Sequence, residues 1–169
     1  MNRHLVILVA LIAALAVPAL ALAQAPTAPA QAPPPMYGNP ITADQAKPIA
    51  AAAIAAAKKN QWMMAVAIVD PWGELVYFER MDNTQVGSVN IAQEKARSAA
   101  RFRRPTKAFQ DALAAGGEGW RILSLSGAVA VEGGVPLIMG GRIVGAIGAS
   151  GGTSQQDGAT AAAGAAALK

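Results

Sequence analysis

The chain has 169 residues, a formal charge of +4, 53% hydrophobic residues and no cysteine. The missing thiols exclude disulfides, iron–sulfur clusters, thiolate zinc and cysteine nucleophiles together. The mildly basic balance falls short of the Lys/Arg density that a nucleic-acid surface requires, so no nucleic-acid partner is expected.

Residues 1–23 read as a secretory signal. The basic start MNRH precedes the apolar run LVILVALIAALAVPAL, and Ala21-Leu22-Ala23 supplies a small-x-small site, placing cleavage before Gln24. That run is short for a membrane span, and no later run is long and uncharged enough to cross a bilayer. The expected location is therefore periplasmic or secreted, with no membrane association after cleavage. Cleavage also removes His4, the only histidine, and the mature chain then has no imidazole.

Residues 24–40, QAPTAPAQAPPPMYGNP, are rich in Ala and Pro and uncharged, and read as an extended linker. The folded domain is expected over 41–169. ITADQAKPIAAAAIAAAKKNQ has helical propensity. Thr42 and Gln45 have capping-box spacing, but Pro48 removes a bond inside such a helix, so either the regular helix starts near Lys47 or it kinks at Pro48. MMAVAIVD is apolar on both faces, as a strand covered on both sides would be. Asp70, Pro71, Trp72 and Gly73 fill the four positions of a type I turn, and Glu74 to Met81 return as a second strand. That greasy hairpin ends in the charged cluster Arg80, Met81, Asp82.

SVNIAQEKARSAARFRR reads as a helix closed by Pro105. Its spacing separates a smooth stripe of Ala92, Ala96 and Ala99 from a charged stripe of Glu94, Arg97, Arg101 and Arg104. Between them run Ser88, Ile91, Lys95, Ser98 and Phe102, where Lys95 either snorkels to water or faces a pocket. PTKAFQDALAAGGEGW continues as a short helix and a glycine-rich loop. RILSLSGAVAVEGGVPLIMGGRIVGAIGASGG carries several strands, with a Gly140-Gly141 hairpin turn and with Gly145 and Gly148 leaving room for close approach. TSQQDGATAAAGAAALK is a final helix with Thr153 and Gln156 at capping-box spacing. Helices on the faces of a mostly antiparallel sheet make the class α+β.

The segment GASGG, Gly148 to Gly152, matches G-x-S-x-G, but a nucleophilic Ser150 of that type needs a histidine base. The same turn ahead of a helix can instead offer backbone N–H groups to an anion. With neither His nor Cys in the expected mature chain, and no carboxylates at calcium-loop spacing, no metal site is expected.

Several stretches together resemble a known family. IVDPWGELVYFERMD, KARSAARFRRPT, GGVPLIMGGRIVGAIGASGG followed by QD, and AGAAAL recur in this order in the heme-binding family known by the names GlcG and HbpS, which also includes the C-terminal domain of some corrinoid adenosyltransferases. The resemblance covers about 41–168. It implies a profilin-like or PAS-like fold with a five-stranded antiparallel sheet flanked by helices, a homo-oligomer, and heme or a related anionic tetrapyrrole as the small-molecule ligand. It also implies that the Arg80–Asp82 end of the hairpin lies near the helix carrying Lys95. The cofactor-binding residues expected for such a ligand are Lys95, Ser98, Arg97, Arg101, Arg80, Phe102 and Thr106. Lys95 with Arg97, Arg101 and Arg104, on one end of the same helix, would hold the carboxylates, Ser98 would be the nearby hydroxyl, and Ile91 and Phe102 the apolar wall. Two departures stand out: the Lys-Ala-x-Thr pattern reads Lys95-Ala96-Arg97-Ser98, and of the usual axial ligands only Met and Tyr remain. Two other function classes stand beside heme binding. One is a sensory or assembly module that binds a partner or a small organic acid; the other is an enzyme acting on such an acid, with Lys95 as base or anion clamp.

Overall fold

The computed structural model describes residues 32–169; the expected signal, its cleavage site and most of the linker lie outside the described residues. In chain order the elements are β1 (Met36–Tyr37), α1 (Ala43–Lys59), β2 (Ala65–Val69), β3 (Leu75–Arg80), α2 (Ser88–Arg101), α3 (Thr106–Ala114), a 3-10 helix (Gly117–Ser124), β4 (Gly134–Met139), β5 (Arg142–Ser150) and α4 (Ser154–Ala165).

One five-stranded sheet organises the domain, and it is mixed rather than purely antiparallel. β5 is its centre: β4 pairs along one edge, while β2 takes residues 146–150 of the other and carries β3 outside it. β5 is nine residues long and β2 only five, so the start of that edge is left open. β1 fills the gap in parallel, pairing Met36 with Arg142 and Tyr37 with Ile143. The linker thus ends in a strand, with the Gly38 N–H donating to the Ile143 carbonyl at 2.8 Å. The Tyr37 hydroxyl reaches across to donate to the carbonyls of Ala100 (3.2 Å) and Arg101 (2.9 Å), closing the C-terminal end of α2.

All five residues of β2 are buried, as its two-sided apolar pattern requires. Val66 and Ile68 face a core with α1, including Ile49, Ala53 and Ile54, and with Ala161 of α4. Ala65, Ala67 and Val69 face the alanine stripe of α2, namely Ala92, Ala96, Ala99 and Ala100. That second interface is thin because both sides are small. A Cβ at Gly148 would run into the Ala92 carbonyl and the Ala96 backbone, and one at Gly134 into the Lys95 carbonyl. The backbone of α2 therefore rests almost directly on the sheet.

Local signals set most element ends. Thr42–Gln45 and Thr153–Gln156 both form complete capping boxes. The helix α1 runs through Pro48 instead of starting near Lys47, with Pro48 on the exposed side, where water can serve the carbonyl that loses its partner. Asp70 closes the β2–β3 turn: its carbonyl accepts from Gly73 N–H at 3.0 Å and its Oδ1 from the N–H groups of Trp72 and Glu74, both at 2.9 Å. Residues 121–152, expected to carry several strands, carry two, β4 and β5, and both lie after residue 133. Residues 121–124 are 3-10 helix and 125–133 irregular, because this stretch is fastened by side chains from α2 and α3 rather than by a ladder.

Candidate functional site

Lys95 decides how the α2 face is used. It is 1% exposed, and its Nζ donates to Asp157 Oδ2 at 2.6 Å and to the Ala149 carbonyl at 3.3 Å. Asp157 stands in the first turn of α4, and its Oδ1 accepts from Gly152 N–H at 3.0 Å. The lysine thus takes neither expected course, snorkelling or lining an open pocket; it crosses the interior to tie α2, β5 and α4 together. Gly133 makes room, since a Cβ there would stand 2.9 Å from the ammonium. The glycine-rich turn after β5 already has its anion, the Asp157 carboxylate. Ser150 is buried and donates to Ser88 Oγ at 3.1 Å, so it is no exposed nucleophile.

Ser98 and Thr106 also turn inward. Ser98 Oγ accepts from Val129 N–H at 3.0 Å and Thr106 Oγ1 from Gly134 N–H at 2.9 Å, while Gln110 Oε1 accepts from Glu132 N–H at 2.9 Å. Together they fasten residues 129–134 to the helices. Phe102 packs edge-on against Phe109 with ring centroids 5.2 Å apart. Four of the seven expected binding residues therefore hold the scaffold. Asp157, the partner on which Lys95 depends, escaped the sequence reading; the one available signal was that a lysine on an otherwise small, buried helix face needs a counter-charge.

The remaining three lie in two separate clefts. Arg97 and Arg101 line a hollow of about 330 Å³ with Glu94 and the backbone turn Gly127–Val129. Both are engaged by the β2–β3 turn: Arg97 Nε donates to the Gly73 carbonyl at 3.2 Å, and Arg101 Nε to the Trp72 carbonyl at 2.7 Å, with Glu74 Oε1 3.6 Å from Arg101 Nη2.

Arg80 lines a cleft of about 400 Å³ at the other end of the hairpin, with Lys58, Met63, Glu79, Met81, Asp82 and Asn83. It is not brought together with Lys95, whose ammonium is enclosed. Three elements shape this cleft. Lys58 comes from the last turn of α1, Arg80 ends β3, and Asn83, at φ +62°, turns the chain away. The Met81 sulfur accepts from Met64 N–H at 3.4 Å and the Met81 N–H donates back to the Met64 carbonyl at 3.0 Å, which fixes the floor. Neither Lys58 nor Arg80 is in an ion pair among the described residues. Among those residues there is also no group of three or more His, Cys, Asp or Glu side chains placed to hold a metal, and no helix long and apolar enough to cross a membrane.

Known proteins resemble this chain in sequence and fold. The family model described as "Haem degrading protein HbpS-like" matches residues 41–166. GlcG of Escherichia coli K12 is 38% identical over 110 residues, 65% of this chain and 81% of GlcG. A 15.0 kDa protein of Citrobacter freundii is 34% identical over 119 residues, 69% of this chain and 84% of its own. Among solved structures, ORFY of Klebsiella pneumoniae has a TM-score of 0.73 at 26% identity, covering 85% of this chain and 97% of ORFY. A double mutant of Streptomyces reticuli HbpS has 0.72 at 30%, covering 87% and 99%. PduOC in complex with heme has 0.69 at 26%, covering 77% and 96%. The family model covers well over half of the chain, and the chain belongs to the HbpS-like family.

Proposed function

We propose that this chain is an exported binding protein for heme or a related anionic tetrapyrrole, and that the ligand enters the cleft at the Arg80–Asp82 end of the hairpin. The observation that carries the reading is the pairing there, beside Glu79 and Asp82, of two cations that form no ion pair among the described residues, Lys58 and Arg80, with two thioether side chains, Met63 and Met81. A tetrapyrrole offers two propionates and an apolar macrocycle; charge-assisted contacts suit the first and methionines the second. The cleft volume lies within the roughly 300–1,000 Å³ of small-molecule sites. The heme complex of the related PduOC supports the ligand class. The Arg97–Arg101 hollow has a small apolar wall but no candidate iron ligand, and its guanidiniums are already occupied.

Hemin titration followed by visible spectroscopy tests this. The substitutions Lys58→Ala and Arg80→Ala should each weaken binding about tenfold, as loss of a charge-assisted contact of roughly 1.5–3 kcal/mol would do. Arg101→Ala should leave affinity unchanged. The opposite ranking would move the ligand to the α2 hollow, and no binding by the unaltered protein would end the heme reading. The family's description also names heme degradation. Decay of the bound Soret band with peroxide over hours would favour an enzyme over a carrier.

A further inference from the structure

We propose that a second copy of this chain docks antiparallel along the open edge of β3, with Phe78 on the two-fold axis, and so walls the cleft at the Arg80–Asp82 end of the hairpin. The proposal goes beyond the heme reading and does not depend on it. The long outer strands of the sheet are β3 and β4, six residues each. β4 is guarded: Pro136 lies within it, and its pairing slips between Leu137 and Ile138. Proline and irregular pairing both blunt an edge against other strands. β3 has no proline, and after one slip beside Val76 it pairs regularly from Tyr77 to Arg80. Among the described residues no strand lies on its far side, and all its residues are exposed or half-buried, Leu75 at 46%.

The ladder fixes which backbone groups are free. The Met81 N–H donates to the Met64 carbonyl at 3.0 Å. Antiparallel pairs alternate along a ladder, so Tyr77 and Glu79 turn their backbone groups toward β2, while Phe78 and Arg80 turn theirs outward. A two-fold axis through Arg80 would set that residue against its own image, and an axis through Glu79 would do the same for a carboxylate. Like charges directly opposite are unfavourable. An axis through Tyr77 would rest on Val76, where the pairing slips. An axis through Phe78 pairs two aromatic rings and sets Tyr77 opposite Glu79 of the second copy, a carboxylate of the kind its hydroxyl already meets within the strand. Counting outward from that axis, Leu75 of the second copy covers Met81, which lines the cleft, and Glu74 of the second copy stands diagonal to Arg80. That carboxylate also faces Asp82, a repulsion at the end of the run that Arg80 offsets. The turn bearing these residues is already held by Asp70, Arg97 and Arg101, which lowers the ordering cost of docking.

The chain has no cysteine, so introduced thiols report cleanly. Tyr77→Cys and Glu79→Cys are purified as separate proteins, mixed and mildly oxidised. Opposed residues of a non-hydrogen-bonded pair lie about 4.5 Å apart at Cα, within disulfide reach, whereas position 77 and its own image are two residues out of step, about 8 Å apart and beyond it. The mixture should therefore give a disulfide-linked dimer that dithiothreitol reverses, and each variant alone should not. Leu75→Glu, at an exposed position, should weaken self-association about tenfold in sedimentation without lowering the melting temperature. Thermal melts establish that each variant is folded; should a thiol variant fail to fold, the Leu75→Glu comparison decides alone. Four results would overturn the β3 interface: wild-type protein that sediments as a monomer at micromolar concentration, a mixture of folded variants that stays unlinked, equal linking by either variant alone, or Leu75→Glu protein that associates as wild type does.

Discussion

Lys95 carries an ammonium into a layer built mostly of alanine and glycine, and the carboxylate of Asp157 supplies its counter-charge. Removing one partner of a buried pair leaves the other charge uncompensated, so Lys95→Ala should destabilise the fold by about 3–5 kcal/mol in urea denaturation. Replacing both, Lys95→Met with Asp157→Leu, should recover most of the loss, since an apolar pair can fill the same space. Hemin affinity of the folded Lys95→Ala protein should stay unchanged, because the ammonium faces Asp157 and not solvent. The helical spacing placed Lys95 beside Ser98 correctly, yet not the direction of its charge. Asp157 is 62 positions away in the chain, and spacing rules reach only three or four. For Ser98 and Thr106 the limit was the same: each bonds a distant backbone N–H that no local pattern announces.

Elements with strong local chemistry were legible. Both capping boxes, the Asp70–Gly73 turn and the Gly140–Gly141 hairpin rest on contacts within four residues, and all appear in the fold. β1 was not, since two residues have no period and their pairing depends on how far β2 reaches along β5. Gly145 and Gly148 leave room for close approach, and the approaching backbone is that of β2 at Gly145, through the Val69 carbonyl, and that of α2 at Gly148. Gly148→Ala should therefore push α2 off the sheet, at a cost of about 1–3 kcal/mol or more for an overpacked contact with backbone. A drop in melting temperature, accompanied by faster hydrogen exchange in α2, would verify it. A melt equal to wild type would mean that the interface can relax.

At the scale of the whole molecule, β3 is an outer strand with one edge unpaired among the described residues, and Trp72, Leu75 and Val86 are exposed. Such an edge is usually covered or blunted in a stable protein. We expect the mature chain to form a homo-oligomer that begins at Gln24. Native mass spectrometry of protein recovered from the cell envelope or medium reads both features at once. Monomers at micromolar concentration would refute the assembly, and a product retaining Met1 would refute the cleavage.

The two-residue strand β1 also bears on where the gene should be cut for expression. Family similarity begins at Ile41, and a recombinant protein started there would keep every helix. It would nonetheless lose the donor that Gly38 supplies to the Ile143 carbonyl and the phenol that seals α2. The vacated stretch of β5 would then be an adhesive edge, open to strands from other molecules. Starting at Pro33 retains both contacts, so the soluble product should begin upstream of the boundary that sequence similarity suggests.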